Sequence, residues 1–199
     1  MENLKLAIIY YSSTGTNYTL AREAETAAKD LGVENIRFKR VEETVPEEVI
    51  KENEDWHNHY QETKEIETAT VEDLDWADAI IFSYPTRYGD APSQFKSLVD
   101  STGGLWQNGK LVNKVVTGMT SAANPHGGQE GTLLSLYKTM MHWGAIVAAP
   151  GYADPVIFET GGNPYGFSMI GGSDLDGKQK QAIAAQVKRA LEITEKINK

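Results

Sequence analysis

Residues 7–17 read Ala-Ile-Ile-Tyr-Tyr-Ser-Ser-Thr-Gly-Thr-Asn. A run of β-branched and aromatic residues breaks into a small loop of hydroxyls and one glycine. An amphipathic helix follows, with Leu20, Ala24, Ala27 and Leu31 at helical spacing and Gly32 as its stop. A strand feeding a helix through such a loop puts backbone N–H groups and hydroxyls at the positive end of a helix dipole, a cradle for a terminal phosphate. Ser12 to Asn17 holds no Lys or Arg, so a phosphate bound there is expected to be held by neutral donors. The dipole adds only about 0.3–2 kcal/mol; charge-assisted hydrogen bonds supply the rest.

Three further apolar runs, Ala79 to Tyr84, Val115 to Thr120 and Ala145 to Ala149, are each followed by Ser, Thr, Pro or Gly. They read as strands covered on both faces, as in a parallel sheet. Asn35 to Val41 alternates polar and apolar residues like an edge strand. Helices are expected at Ser93 to Val99, Leu133 to Trp143 and around Ile183, Val187, Leu191 and Thr194. Alternating strands and helices imply right-handed βαβ units in a doubly wound α/β sheet, whose ligands sit beyond the carboxyl ends of the strands. The loops there are Ser12 to Asn17, Tyr84 to Asp90 and Ser121 to Gly128. The stretch 42–75, dense in Glu and broken by Pro46, is too long for a simple connection and reads as a lid, an interface element or a mobile excursion from a single domain spanning 1–199.

The net charge of −9 among 199 residues argues against nucleic acid or an anionic membrane surface as the main partner. The absence of cysteine removes disulfides, thiol catalysis and iron–sulfur clusters. No apolar run approaches the ~20 residues of a membrane span, and Met1 to Lys5 leads into a strand without a signal-peptide pattern. A cytoplasmic location is expected. Gly104 to Lys110 nearly matches a nucleotide-binding P-loop, but Leu111 stands where Ser or Thr must hold Mg²⁺, and no strand precedes it; a turn at Asn108-Gly109 is the better reading. There is no Gly-x-Gly-x-x-Gly dinucleotide loop, and no Gly-x-Ser-x-Gly elbow. His57 and His59, with Asp55 and Glu62, read as solvated polar residues and not as a metal site. From spacing alone, His142 is either a helix-terminal histidine or a group facing the site, and Trp106 either plugs the core or offers a stacking face.

Ser12-Ser13-Thr14-Gly15-Thr16-Asn17 resembles the flavodoxin phosphate loop, with Asn17 in place of the usual Thr. Pro85-Thr86-Arg87-Tyr88-Gly89, Thr102-Gly103-Gly104-Leu105-Trp106, Gly127-Gly128-Gln129-Glu130, Pro164-Tyr165-Gly166 and Gly171-Gly172 follow in the order in which similar elements occur in WrbA-type NAD(P)H:quinone oxidoreductases. The resemblance implies a flavodoxin-like five-stranded parallel sheet, order 2-1-3-4-5, with helices on both faces. It also implies non-covalent FMN, its phosphate in Ser12, Ser13, Thr14, Gly15, Thr16 and Asn17. The flavin rings are then expected on Pro85, Thr86, Arg87, Tyr88 and Gly89 and on Ser121, Ala122, Ala123, Asn124, Pro125, His126 and Gly127. His142 aligns with a residue at the flavin. Trp106 aligns with one that walls the substrate cavity from a neighbouring subunit, and Thr14 with one, often a larger Tyr, that contacts the nicotinamide. Trp143 stands where many members have a second His.

The family pattern also implies a homotetramer, a dimer of dimers, in which NAD(P)H as co-substrate and then a quinone use one cavity in a ping-pong cycle. Arg87 is expected near the pyrimidine edge, and His142 is a candidate for a polar contact with quinone or flavin. No side chain is assigned as acid, base or nucleophile, because the flavin carries the redox chemistry. The competing expectation is a flavodoxin-type carrier of single electrons.

Overall fold

The first strand, β1 (Lys5–Tyr10), is buried on both faces, and its alternation decides which core each side chain joins. Leu6, Ile8 and Tyr10 point into one core and Ala7, Ile9 and Tyr11 into the other, as the two-residue period of a strand requires. Full burial of Ile8 and Ile9 contributes about 1.5–3 kcal/mol each. The computed structural model describes Met1 and residues 3–198.

After β1 the chain runs through α1 (Thr16–Asp30), β2 (Asn35–Arg40), α2 (Glu47–Ile50), α3 (Glu54–Thr63), α4 (Val71–Trp76) and β3 (Ala79–Pro85). Next come α5 (Ser93–Asp100), α6 (Gly103–Gln107), β4 (Val115–Ala122) and α7 (Gln129–Trp143). The remainder is β5 (Ile146–Val147), α8 (Val156–Glu159), β6 (Ser168–Ile170) and α9 (Gly177–Ile197). The strands pair in parallel in the order β2-β1-β3-β4-β5, with β6 also on β4. Helices α1 and α9 cover one face and α4, α5 and α7 the other.

The expected order holds, but the fifth strand position is divided. β5 pairs only with Val115 and Val116, and β6 takes over at Thr120–Ala122. Between them the edge of β4 is completed by side chains: the Tyr137 hydroxyl accepts from the Gly118 amide at 3.2 Å, and Gln186 Nε2 donates to the Gly118 carbonyl at 2.8 Å. Pro150 and the Gly-rich segment before β6 explain the interruption, since proline cannot continue a ladder. A β-carbon on Gly166 would lie 2.1 Å from the Gly118 oxygen, so only glycine lets this segment reach β4.

The acidic stretch 42–75 folds onto the sheet. Its Ile50 and Leu74 are 1% and 0% exposed, and the Glu43 carboxylate gathers the Tyr11 hydroxyl (3.0 Å), Gln94 Nε2 (2.7 Å) and the amides of Thr44 and Val45. The density of Glu obscured these few anchoring contacts. Gly109 adopts φ +67° just after α6, in agreement with a turn at Asn108-Gly109.

Candidate functional site

The phosphate-type loop leaves β1 between β2 and β3, where the strand order reverses, and Gly15 (φ +96°) caps α1 without any side-chain cap. Its amide donates to Ser12 Oγ at 3.0 Å. The amides of Ser13, Thr14, Thr16, Asn17 and Tyr18 meet no acceptor among the described residues. A helix leaves its first amides unsatisfied unless a cap or ligand meets them. An oxyanion of phosphate size fits this set: open N–H groups, nearby hydroxyls on Ser12, Ser13 and Thr16, and the positive dipole end.

Two features of the loop differ from the expectation. Asn17 is 1% exposed and lies beneath the loop. Its Nδ2 donates to Ser83 Oγ at 3.1 Å, its Oδ1 accepts from Ser121 Oγ at 2.5 Å, and its carbonyl accepts from Ser83 Oγ at 2.9 Å. The side chain therefore ties the ends of β3 and β4 to α1 and does not stand open as a donor. Charge, moreover, does reach the loop: Arg87 Nη2 donates to Ser13 Oγ at 2.8 Å and Nη1 to the Thr86 carbonyl at 3.0 Å. The guanidinium bridges the first loop to the second and is solvent-exposed.

The second loop is a tight turn in which the Arg87 and Asp90 backbones exchange hydrogen bonds of 2.8 and 3.0 Å. Its central residues, Tyr88 (φ 54°) and Gly89 (φ 80°), both have positive φ, the pattern of a type I′ turn. Tyr88 carries the strain of a non-glycine residue there, and its ring stands wholly in solvent. Thr86 receives the Gly89 amide at 3.1 Å and the Thr132 hydroxyl at 2.7 Å. Asp90 accepts from the Ser135 hydroxyl at 2.6 Å, which, with the Ala91 amide, holds its carboxyl below the usual range against its partial burial.

The third loop packs against the second: a β-carbon on Gly128 would stand 2.7 Å from Gly89 Cα. Ser121 and Ala122 are buried, while Ala123, Asn124, Pro125 and His126 are exposed. Asn124 folds the loop back by accepting from the His126 amide (Oδ1, 3.0 Å) and the Gly127 amide (backbone O, 3.1 Å). Beside it an open cleft of about 660 Å³ is lined by Pro125, His126, Gly128, Asn163, Ser168 and Ile170.

The first three groups of expected residues thus converge at one sheet edge. His142 and Trp106 do not join them within the chain. Helix α7 starts beside Gly89 and its 15 residues carry it about 20 Å back to the other edge, where the Asn113 amide meets the Gly144 carbonyl at 3.0 Å. There the Trp106 indole N–H donates to the His142 carbonyl at 2.9 Å, with Trp106 59% exposed. Sequence reasoning also passed over Ser83, a lone small polar residue inside an apolar strand run. It missed Gly172 as a neighbour of the loop, whose amide donates to Thr16 Oγ1 at 3.0 Å, and His59, which is buried and not solvated.

A parallel sheet of this order, with open amides at its reversal point, has the flavodoxin-like fold. A profile of the family described as NADPH-dependent FMN reductase matches residues 4–154, and the chain belongs to that family, which makes it an oxidoreductase. It is 49% identical over 195 residues to an NAD(P)H dehydrogenase (quinone) of Deinococcus radiodurans, covering 98% of this chain and 97% of that one. A protein of the same description from Sinorhizobium fredii is 42% identical over 85% of this chain and 84% of its own. Among solved structures, a WrbA-like flavodoxin from Agrobacterium tumefaciens superposes with a TM-score of 0.64 at 21% identity, over 97% and 99% of the two chains. The two-electron-reduced flavodoxin of Megasphaera elsdenii gives 0.57 at 18% identity, over 92% and 98%; both show the shared fold.

Proposed function

We propose that this protein is an FMN-dependent NAD(P)H:quinone oxidoreductase that transfers two electrons per turnover in a ping-pong cycle. FMN is its non-covalent cofactor and NAD(P)H its co-substrate. The observation that carries the reading is the head of α1, whose unsatisfied amides and bare glycine cap suit a flavin's phosphate tail. When bound, FMN supplies hydride acceptance and donation; the chain binds, orients and excludes competitors.

The residues divide that work. Ser12, Ser13 and Thr16 present hydroxyls to the phosphate and Arg87 adds charge at Ser13. Asn17 holds the three loops in register from below. The Tyr88–Gly89 turn and the Ser121–Gly127 loop offer backbone and ring surface to the flavin, and the cleft beside His126 receives nicotinamide and then quinone. We assign His142 and Trp106 to a neighbouring protomer's cavity in a homotetramer. Trp106, Met141 (67% exposed) and Val112 (51% exposed) leave apolar side chains open at that edge, which a neighbouring protomer would cover. Among the described residues no helix is long and apolar enough to cross a membrane; a cytoplasmic location belongs to this proposal.

Adding FMN to purified protein, removing the excess by gel filtration and assaying benzoquinone reduction with NADH and with NADPH tests the reading. Retained flavin and quinone turnover are expected, together with an anaerobic titration in which no one-electron-reduced flavin accumulates. Accumulation of that form without quinone turnover would make the protein an electron carrier. Failure to take up FMN would remove both readings.

A further inference from the structure

Helix α3 of the acidic excursion carries His59 onto the phosphate loop. The side chain is 8% exposed, and its Nδ1 lies 3.6 Å from the place a β-carbon on Gly15 would take. Its ring packs on Tyr18, in the first turn of α1, at 5.5 Å between centroids. Neither ring nitrogen has a hydrogen-bond partner among the described residues: Nε2 is fully buried, and Nδ1 is the one turned to the loop. A buried imidazole whose unpartnered Nδ1 is set against the open head of a helix is a group whose counterpart is a ligand.

We infer that His59 is the cationic partner of the phosphate monoester: the excursion delivers an imidazole to the back of the loop, and a phosphate bound at the head of α1 draws a proton onto it. This rests on the FMN reading above. It makes His59 one of the groups that discriminate FMN from riboflavin, which lacks the phosphate, and the one that does so with a pH dependence.

The surroundings favour such coupling. Burial holds the free imidazole below its ordinary range, with Glu62 on the same helix opposing that shift. From α1 it faces the Tyr18 phenol, over whose ring the Arg22 guanidinium lies at 5.2 Å. From β1, Tyr10 packs on Tyr18 at 5.3 Å with its hydroxyl unpartnered. Ser12 to Asn17 carries no charge of its own, and the nearest charge there is Arg87 at Ser13. A dianion at α1 is therefore the strongest influence that ligand binding can add, and it favours the protonated ring.

The experiment measures dissociation constants of FMN and riboflavin between pH 6.5 and 8.5, above the second phosphate ionisation at about 6, for the unmodified protein and His59→Gln. The unmodified protein should lose FMN affinity at least about threefold across this range, within the limit of tenfold per pH unit set by one linked proton. His59→Gln with FMN, and both proteins with riboflavin, should show flat profiles. Equal FMN slopes in the two proteins, or an equal slope with riboflavin, would overturn the inference. NMR titration of the unmodified protein keeps it testable if the variant does not fold. The His59 ring signal, found by elimination among the four histidines, should titrate at higher pH with FMN and not with riboflavin; an unmoved midpoint refutes the assignment. Protein that takes up no FMN at any pH would refute the functional reading as well, whereas uptake without a pH slope refutes His59 alone.

Discussion

Replacing Asn17 by Ala removes the tie under the three loops, and the structure sets the expected size of the effect. Two side-chain hydrogen bonds are lost, to Ser83 and from Ser121, at about 1 kcal/mol each. Ser83 keeps its bond to the Asn17 carbonyl, but the Ser121 hydroxyl, on a residue 4% exposed, is stranded at a further cost of about 1 kcal/mol or more. Alanine's better helix propensity returns about 0.5 kcal/mol. The net destabilisation is about 2–3 kcal/mol, which at a urea slope of about 3 kcal/mol/M lowers the midpoint by roughly 0.7–1 M. Adding Ser121→Ala removes the stranded hydroxyl, so the second substitution should cost about 1 kcal/mol less in the Asn17→Ala background than in the unmodified protein. A midpoint within 0.2 M of the unmodified protein, taken as roughly the error of extrapolation, would refute the reasoning. So would single effects that add to within about 0.3 kcal/mol.

Gln186→Leu strands the Phe167 amide and the Gly118 carbonyl in the interior; a loss of about 3 kcal/mol should lower Tm by about 8 °C in calorimetry. Tyr88→Asn relieves positive φ at an exposed position, and stability should rise by about 0.5–1 kcal/mol, while quinone reduction slows because the flat ring is gone. Stability of the free protein should fall as pH drops from 7 to 5.5. Burial lowers the folded-state pKa of His59 below its ordinary 6.5, so folding favours the neutral ring. That contribution is present above 6.5 and fades as acid protonates the unfolded chain, and His59→Gln should flatten the urea midpoint over this interval.

Much of the molecule is legible from local pattern. Apolar runs such as Leu6 to Tyr11 announce strands buried on both faces, and the break at Ser12-Ser13-Thr14-Gly15 announces a glycine-capped helix head with open amides, because burial and glycine geometry are properties of neighbours in the chain. The α1 stop at Gly32 is legible for the same reason. The split fifth strand was not, since β6 is three residues long and exists because Gln186, Gly166 and Tyr137, far apart in sequence, complete the edge of β4.

Amino-acid order alone determined the fold class and the family, since each follows from short-range periodicity and contiguous motifs. Only tertiary structure decided what the polar side chains do. Asn17 lies under the loop, Arg87 spans two loops, His59 comes from the excursion to Gly15, and His142 with Trp106 lies at the far edge. Those outcomes depend on which surfaces the sheet brings face to face, and hydrogen-bond partners 36 to 104 residues apart, from Trp106 with His142 to Ser121 with Asn17, leave no trace in spacing.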